Sequence, residues 1–170
     1  EYLLDFELRL YQMKYIQNKD LGYDRDQILV IRHAYLLENN QEAFKNELMK
    51  NPKVSAVTQS SFVPAGPSDN NVTQIYINGQ FNRRMPVFNI DENYIPTMEM
   101  EMVAGRNFSR DFGADSSNVI LNQTAAKIFG FDDDPIGKTI SDGTHTSRVI
   151  GVVKDFHFKS LHQPIEPLLM

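Results

Sequence analysis

The chain has 170 residues, of which 41% are hydrophobic, and it carries a formal net charge of -5 at pH 7. This length and apolar content allow a substantial buried core, which excludes a disordered chain. The acidic balance argues against a nucleic acid partner, because a phosphate backbone is bound by clustered Lys and Arg side chains. The absence of cysteine excludes disulfides, thiol nucleophiles and cysteine-ligated metal sites.

The first predicted element is an amphipathic helix over residues 5–20. Phe6, Leu10 and Met13 recur at spacings of three and four residues, and charged residues lie off this apolar stripe. The helix is expected to end near Gly22.

Three further helices are predicted from polar caps at their starts and helix breakers at their ends. The first follows the capping residues 38–40 and runs through Lys50, and the second is a short helix that contains Tyr94. The third is capped by Asn122, covers residues 123–129 and ends at Gly130.

Short runs of β-branched and apolar residues between turn signals predict the strands. They cover residues 27–32, 54–62, 72–77, 84–90, 117–121, 138–140 and 147–153. The strand over residues 27–32 is expected to be buried. Residues 78–82 are expected to form a hairpin loop longer than two residues, and residues 64–70 a loop. Helices and strands are interspersed without regular alternation, which predicts an α+β fold of two small αβ lobes.

No motif for a catalytic, nucleotide or metal site has the required spacing. Pro135-Ile136-Gly137-Lys138-Thr139 is similar to the end of a phosphate loop, but Asp132 occupies the position where that motif needs a glycine. The acidic residues 132–134 lack the alternating ligands of a calcium loop. The four histidines, His33, His145, His157 and His162, lack metal-site spacing.

Hydrolytic chemistry is also weakly supported. Ser60 and Ser61 do not stand in a nucleophile elbow. Asp111, Asp115 and Asp155 form an acid pair only if the fold brings two of them together. The aromatic segment 156–158 is expected to be core packing rather than a stacking surface. We therefore expect no enzymatic activity, no cofactor and no metal.

Several segments, taken in order, carry a family resemblance. They are NKDLGYD at residues 18–24, DENY at 91–94, AGRNFS at 104–109, VILNQTA at 119–125, PIGK at 135–138 and VIGVVKDFHF at 149–158. Together they resemble the MacB-like periplasmic core domain of FtsX-family ABC transporter permeases, in the style common among Bacteroidetes.

The resemblance implies a porter-like lobe with a second, sabre-like lobe inserted in it. The porter-like lobe would comprise residues 21–96 and 148–170, and the insert residues 97–147. The structural hallmark residues would be Gly22, Gly105, Arg106, Gly137, Gly151 and Asp155. Gly105 and Gly137 suit turns that need positive φ, and Gly151 suits a close approach within a strand. Arg106 either pairs with a carboxylate such as Asp111 or Asp155, or is exposed and unpaired.

The resemblance also implies the setting and the partners. The domain would lie on the periplasmic face of a bacterial inner membrane, between two membrane helices of a longer protein. Its partners would be a second permease copy, a cytoplasmic ATPase and a periplasmic adaptor, lipoprotein or peptide substrate. It would couple ATP hydrolysis to export, lipoprotein handling or regulation of a partner protein. The alternatives are an extracytoplasmic ligand-sensing domain of a signalling protein and a small hydrolase that uses His145 or His157.

This coupling hypothesis predicts that the helix over residues 5–20 transmits movement from the membrane to the domain. Replacing Leu10 by Asp in the full-length transporter should leave ATP hydrolysis largely intact and abolish the extracytoplasmic output, because an unpaired charge on the gripping stripe is costly to bury. The measurement is output per ATP hydrolysed. An unchanged output in the Leu10→Asp transporter would refute this role for the helix.

Overall fold

A computed structural model describes residues 19–63, 71–113 and 115–170 of the chain. The predicted loop over residues 64–70 lies outside the described residues, as does the predicted helix over 5–20 except for its last two residues. The helices are α1 (Gln41–Met49), α2 (Tyr94–Thr97) and α3 (Gln123–Ile128), with 3-10 helices at Ala34–Asn40 and Asp115–Ser117. The strands are β1 (Val72–Ile77), β2 (Gln80–Pro86), β3 (Met102–Gly105), β4 (Asn118–Asn122), β5 (Thr139–Ser141) and β6 (Thr146–Val153). The predicted α+β class is confirmed.

Strand β6 organises the single sheet that the described strands form. Along one edge it pairs antiparallel first with β5 and then with β3, and along the other edge it pairs parallel with β4. β5 also pairs with β1, and β1 pairs with β2. All five residues from Val149 to Val153 are buried, as expected for a strand with neighbours on both edges and both faces.

Backbone pairing runs around a closed circuit. The order β2, β1, β5, β6 and β4 is completed by residues 168–170, which we call the closing segment. Its Leu169 bridges Leu121 of β4 on one side and Val87, just after β2, on the other. The circuit therefore returns to the strand from which it started, and fewer sheet edges are left open.

Two apolar clusters lie on opposite sides of β4, β6 and the closing segment. The inner cluster lies within the circuit and takes side chains from each of its members, for example Ile75, Met85, Ile140, Val149 and Leu169. The outer cluster is rich in aromatic residues and methionine and includes Phe62, Phe88, Tyr94, Met98, Ile120, Phe156, Phe158 and Leu168. Consecutive residues of β4 and of the closing segment alternate between the two clusters, as strand geometry requires.

The hairpin between β1 and β2 is tighter than the sequence predicted. Asn78 and Gly79 both have positive φ, 53° and 77°, which is the conformation of a two-residue type I′ turn. β2 consequently begins at Gln80, and the predicted longer loop is wrong. Strand β3 was not predicted, because Met102–Gly105 is short and contains two small residues.

Two predicted strands are not formed. Residues 27–32 are exposed and have no strand partner among the described residues, so the predicted buried strand is wrong. Residues 54–62 contribute one isolated bridge, between Ser60 and Ile90, instead of a continuous strand. A strand without a neighbouring strand leaves its backbone N–H and C=O groups unpaired. The strand propensity of residues 27–32 and 54–62 was therefore not enough to form a strand in either segment.

The predicted division into lobes at residues 97 and 147 stays a prediction. Strands from both predicted lobes share the sheet, since β5 pairs with β1. Within the described part of the chain, no helix is both long enough and apolar enough to span a bilayer.

Asn122 joins α3 to the closing segment. Its side chain is fully buried, and its Oδ1 atom accepts hydrogen bonds from the backbone N–H groups of Ala125 at 3.0 Å and Leu168 at 2.9 Å. Its Nδ2 atom donates to the carbonyl of Glu166 at 2.9 Å. The predicted helix cap is confirmed, and the same amide also fixes the segment that completes the circuit.

We expect Asn122→Ala to lower the free energy of unfolding by about 2–4 kcal/mol, because it removes a helix cap and leaves buried backbone groups unpaired. Urea denaturation followed by circular dichroism measures this change. The control is Asn82→Ala at an exposed position of β2, for which we expect a change within about 0.5 kcal/mol. Equal losses in the two variants would contradict the role assigned to Asn122.

Candidate functional site

The chain leaving β6 packs against the first described residues, and we call this contact the strand-exit junction. It consists of residues 21–24 and residues 155–157. The His157 N–H donates to the carbonyl of Leu21 at 2.8 Å, and the Leu21 side chain is buried. The Tyr23 ring meets Phe156 edge-on, with 6.1 Å between the ring centroids. Because Phe156 belongs to the outer cluster, the junction ties residues 21–24 directly to the core.

Gly22 allows this close contact. It has a φ of +83°, and a Cβ atom at this position would lie 2.8 Å from the Cβ of Phe156 and 2.9 Å from the carbonyl oxygen of Asp155. Any larger residue would therefore be strained in its backbone and would push the two segments apart.

Asp155 links the junction to helix α3. Its carboxylate accepts hydrogen bonds from the backbone N–H of Thr124 at 2.9 Å and from the Thr124 hydroxyl at 2.7 Å. Its own N–H donates to the Gln123 side chain at 3.1 Å. A carboxylate that lies beside the first turn of a helix, as Asp155 does here, accepts a hydrogen bond from an otherwise unpaired helix N–H and interacts favourably with the helix dipole.

A second close approach lies where β3 ends beside β6. Gly105 has positive φ, and a Cβ there would lie 2.1 Å from the carbonyl oxygen of Ile150, while a Cβ at Gly151 would lie 2.4 Å from the carbonyl oxygen of Arg106. Gly137 also has positive φ, 86°, and donates its N–H to Val149 of β6. These are the backbone roles that the sequence predicted for the three glycines.

Arg106 holds the loop that follows β3 by pairing with a carboxylate, which was one of the two predicted alternatives, but the carboxylate is neither of the two that were named. It donates two hydrogen bonds to Asp115, at 2.7 and 2.8 Å, rather than pairing with Asp111 or Asp155, and it is not unpaired. Its guanidinium also lies 4.1 Å from the centre of the Phe112 ring. The two hydrogen bonds from Arg106 hold the pKa of Asp115 well below its usual value.

A charged network, which the sequence did not predict, fastens α1 to the body of the domain. Lys45 is buried and donates to Asp91 at 2.6 Å. Arg110 pairs with Glu42 of α1 and with Glu92, the neighbour of Asp91. Burial, the largest single effect, lowers the pKa of Lys45, but its contacts with Asp91 and Glu42 together outweigh burial and raise this pKa.

A sequence signal for this network existed. Lys45 shares one helical face with residues 41, 44 and 48, the positions of α1 that are at least partly buried. A lysine on such a face indicates a carboxylate partner elsewhere in the chain, although the sequence does not say which one.

The remaining candidate residues do not gather into a site. Among the described residues, no group of three or more His, Cys, Asp or Glu side chains could hold a metal ion. His157 belongs to the strand-exit junction, and His145 lies beside Asp142 in the exposed turn before β6. Ser60 and Ser61 bond to nearby backbone groups rather than to a histidine. Phe156 and Phe158 are core residues, as predicted.

Two open clefts, of about 450 and 470 Å³, share Glu92 and Arg110 in their walls. One lies against α1, and the other runs past Phe108 and Asp115. Both contain polar groups, but Arg110 is already paired with carboxylates.

Comparison with known proteins identifies a family for nearly the whole chain. Residues 13–164 match the family described as MacB-like periplasmic core domain. The periplasmic region of MacB from Actinobacillus actinomycetemcomitans is similar in structure, with 24% identity, a TM-score of 0.52 and coverage of 69% of this chain and 51% of that one. The extracellular domain of the noncanonic ABC-type transporter YknZ from Gram-positive bacteria has 19% identity, a TM-score of 0.54 and coverage of 75% and 59%. The chain thus spans about half the length of these solved structures. A comparison with curated proteins gave no match.

We expect the pair between Arg106 and Asp115 to stabilise the domain in a pH-dependent way. The pKa of Asp115 is lower in the folded chain than its usual value of 3.8. The stability that the ionised carboxylate gives to the fold is therefore fully present above pH 3.8, and it is lost as the pH falls from 3.8 through the lower folded pKa. Asp115→Asn should therefore be less stable than the wild type at pH 7, and the difference should narrow below about pH 4. Thermal unfolding between pH 7 and pH 3 measures it. Asp111→Asn in the same loop is the control, and a difference for Asp115→Asn that does not change with pH would contradict the pairing.

Proposed function

The chain belongs to the family of MacB-like periplasmic core domains, and from that premise we propose that it transmits movement in an ABC transporter permease instead of performing chemistry. Cytoplasmic ATP hydrolysis would drive the movement, and the domain would convert it into a rearrangement outside the membrane. The output would be export, lipoprotein handling or regulation of a partner protein.

The strand-exit junction is the observation that supports this proposal. A domain that transmits movement needs its incoming chain attached rigidly to its core. Residues 21–24 are attached by the bond between Leu21 and His157, by a 2.9 Å bond from the Asp24 N–H to the carbonyl of Met98, and by the close packing at Gly22. A displacement of residue 21 would therefore move both β6 and the outer cluster.

The charged network supports the same proposal. Lys45 is the one buried residue of α1. Its ion pair with Asp91 fixes α1 to the turn before α2. Thr58 and the Gln59 N–H also donate to Asp91, so that the segment after α1 is held at the same carboxylate. The N-terminal part of the described chain and the sheet would then move as one body.

The family premise also determines the partners we propose. They are a second permease copy, a cytoplasmic ATPase, and a periplasmic adaptor, lipoprotein or peptide. The domain would lie on the periplasmic face of the inner membrane. No observation favours the ligand-sensing alternative, because Arg110, the cation that both clefts share, already pairs with two carboxylates.

A matched pair of glycine variants tests the transmission. Gly22 and Gly79 both have positive φ, but a Cβ at Gly79 meets nothing within 4 Å. Gly22→Ala and Gly79→Ala therefore share the backbone strain, roughly 1–2 kcal/mol, and differ in the clash with Phe156. In the full-length transporter, Gly22→Ala should keep its ATPase rate and lose most of the ATP-dependent movement.

The movement is measured as the change in distance between labels on the two copies of the domain. These 170 residues contain no cysteine, so a cysteine introduced at the exposed Asp133 places the label once any cysteines elsewhere in the transporter are replaced by serine. The transporter with Gly79→Ala should show the same ATP-dependent change in label distance as the wild type. Full movement in Gly22→Ala, with normal folding of the domain, would exclude transmission through the junction.

A further inference from the structure

Residues 26–58, which we call the flap, contribute almost nothing to the core of the domain. Lys45 is the one buried residue of the flap, and its charged group is held by Asp91. Neither of the two apolar clusters takes a side chain from the flap. Burial of apolar surface is the main force that holds the parts of a domain together, so the flap lacks most of this stabilisation.

Polar contacts attach the flap to the body of the domain. Asp91 accepts hydrogen bonds from Lys45 and Thr58 of the flap, and Arg110 pairs with Glu42 of α1. The side chains of Glu42 and Arg110 are both more than half exposed, so salt in the solvent screens their attraction. Within the described chain, the backbone groups of residues 29–58 form backbone hydrogen bonds only among themselves. The attachment is therefore largely electrostatic.

An open cleft separates part of the flap from the body. This cleft, of about 450 Å³, has Met49 and Val57 of the flap in one wall and Pro96 and Thr97 of α2 in another. Among the helices and strands, α1 makes its main contacts with the 3-10 helix Ala34–Asn40, which also belongs to the flap. The flap therefore has its own internal packing, and its departure from the body would leave both apolar clusters intact.

The backbone of the flap also lowers the cost of opening. Gln27, His33 and Glu38 have positive φ of 61°, 62° and 46°, and they are three of the five non-glycine residues with positive φ in the described chain. A residue with a side chain is strained in this conformation, and a segment that loosens relieves the strain. The opened flap also regains conformational entropy.

We infer that the flap opens as a unit while the sheet stays folded, and that the ionic contacts at Asp91 and Arg110 control the opening. Local opening of this kind occurs where few apolar contacts cross to the core. Added salt weakens the exposed pair of Glu42 and Arg110 and shifts the flap towards the open form. The closed flap moves with the sheet, and the inference holds whether or not the domain transmits movement.

A thiol at position 97 reports the opening. The Oγ1 atom of Thr97 is buried beside the cleft and makes no hydrogen bond within the described residues, so Thr97→Cys removes no such contact. The chain has no other cysteine. The thiol of Thr97→Cys should react with an uncharged maleimide much more slowly than the thiol of Asp133→Cys, which is at an exposed position. Relative to that reference, its rate should rise several-fold from about 0.05 M to about 0.5 M NaCl.

Two glutamates of α1 provide a matched pair of variants. Glu42 and Glu47 are both exposed and both paired, but Glu42 pairs with Arg110 on the body and Glu47 with Lys50 at the end of the same helix. In the Thr97→Cys chain, Glu42→Gln should raise the labelling rate by about twofold or more, and Glu47→Gln should leave it unchanged.

Asp91→Asn weakens the contact with the charged Lys45 and should raise the labelling rate by about tenfold or more. Circular dichroism confirms that each variant is folded. Hydrogen exchange of the β6 amides, measured on the same chains, gives the rate at which the whole domain unfolds.

Three results would overturn the inference. Labelling of Thr97→Cys as fast as Asp133→Cys at low salt would show that the cleft wall is accessible without movement of the flap. Labelling no faster than exchange of the β6 amides would show that the flap opens only when the whole domain unfolds. Equal rates in Glu42→Gln and Glu47→Gln would show that the pair with Arg110 does not control the opening.

Discussion

The burial of β6 is the constraint on which the rest of the structure depends. This strand has neighbours along both edges and apolar side chains on both faces, so each element near it must approach closely without adding a polar group that lacks a partner. Gly151 in the strand and Gly105 beside it leave room for the neighbouring carbonyl oxygens of Arg106 and Ile150. The closing segment then shields β4, which shields β6 in turn.

Three polar residues with several hydrogen bonds serve this geometry. Asn122, Asp155 and Asp115 each accept several hydrogen bonds from backbone or side-chain donors, and each fixes the start of a helix or the base of a loop. A carboxylate whose acceptor sites are already used holds its surroundings in place, and it is a poor candidate for proton transfer. Holding the shape of the domain in this way is what the proposed transmission of movement requires of such groups.

Local signals predicted the parts of the fold that local interactions decide. Helix α3 with its Asn122 cap and Gly130 stop, strand β1, and the pair β5 and β6 around a turn follow from caps, turns and alternation in neighbouring residues. The closing segment, the partner of Arg106 and the contact of Lys45 with Asp91 depend on residues 9 to more than 40 positions apart. The sequence left open whether Arg106 pairs with a carboxylate at all, and it offers several possible carboxylate partners to both Arg106 and Lys45; only the fold selects among them.

The predicted strand at residues 27–32, which does not form, also shows that a local sequence pattern cannot decide which segments pair. β-branched residues favour an extended backbone, but a strand forms only where a neighbour accepts its hydrogen bonds, because the apolar side chains alone do not satisfy the N–H and C=O groups. Within the described chain β6 has neighbours on both of its edges, whereas residues 28–31 lie outside the sheet, between two residues in left-handed conformation. The strand pattern of these residues therefore predicted a preference for extended backbone, but not the neighbouring strand that such a backbone needs.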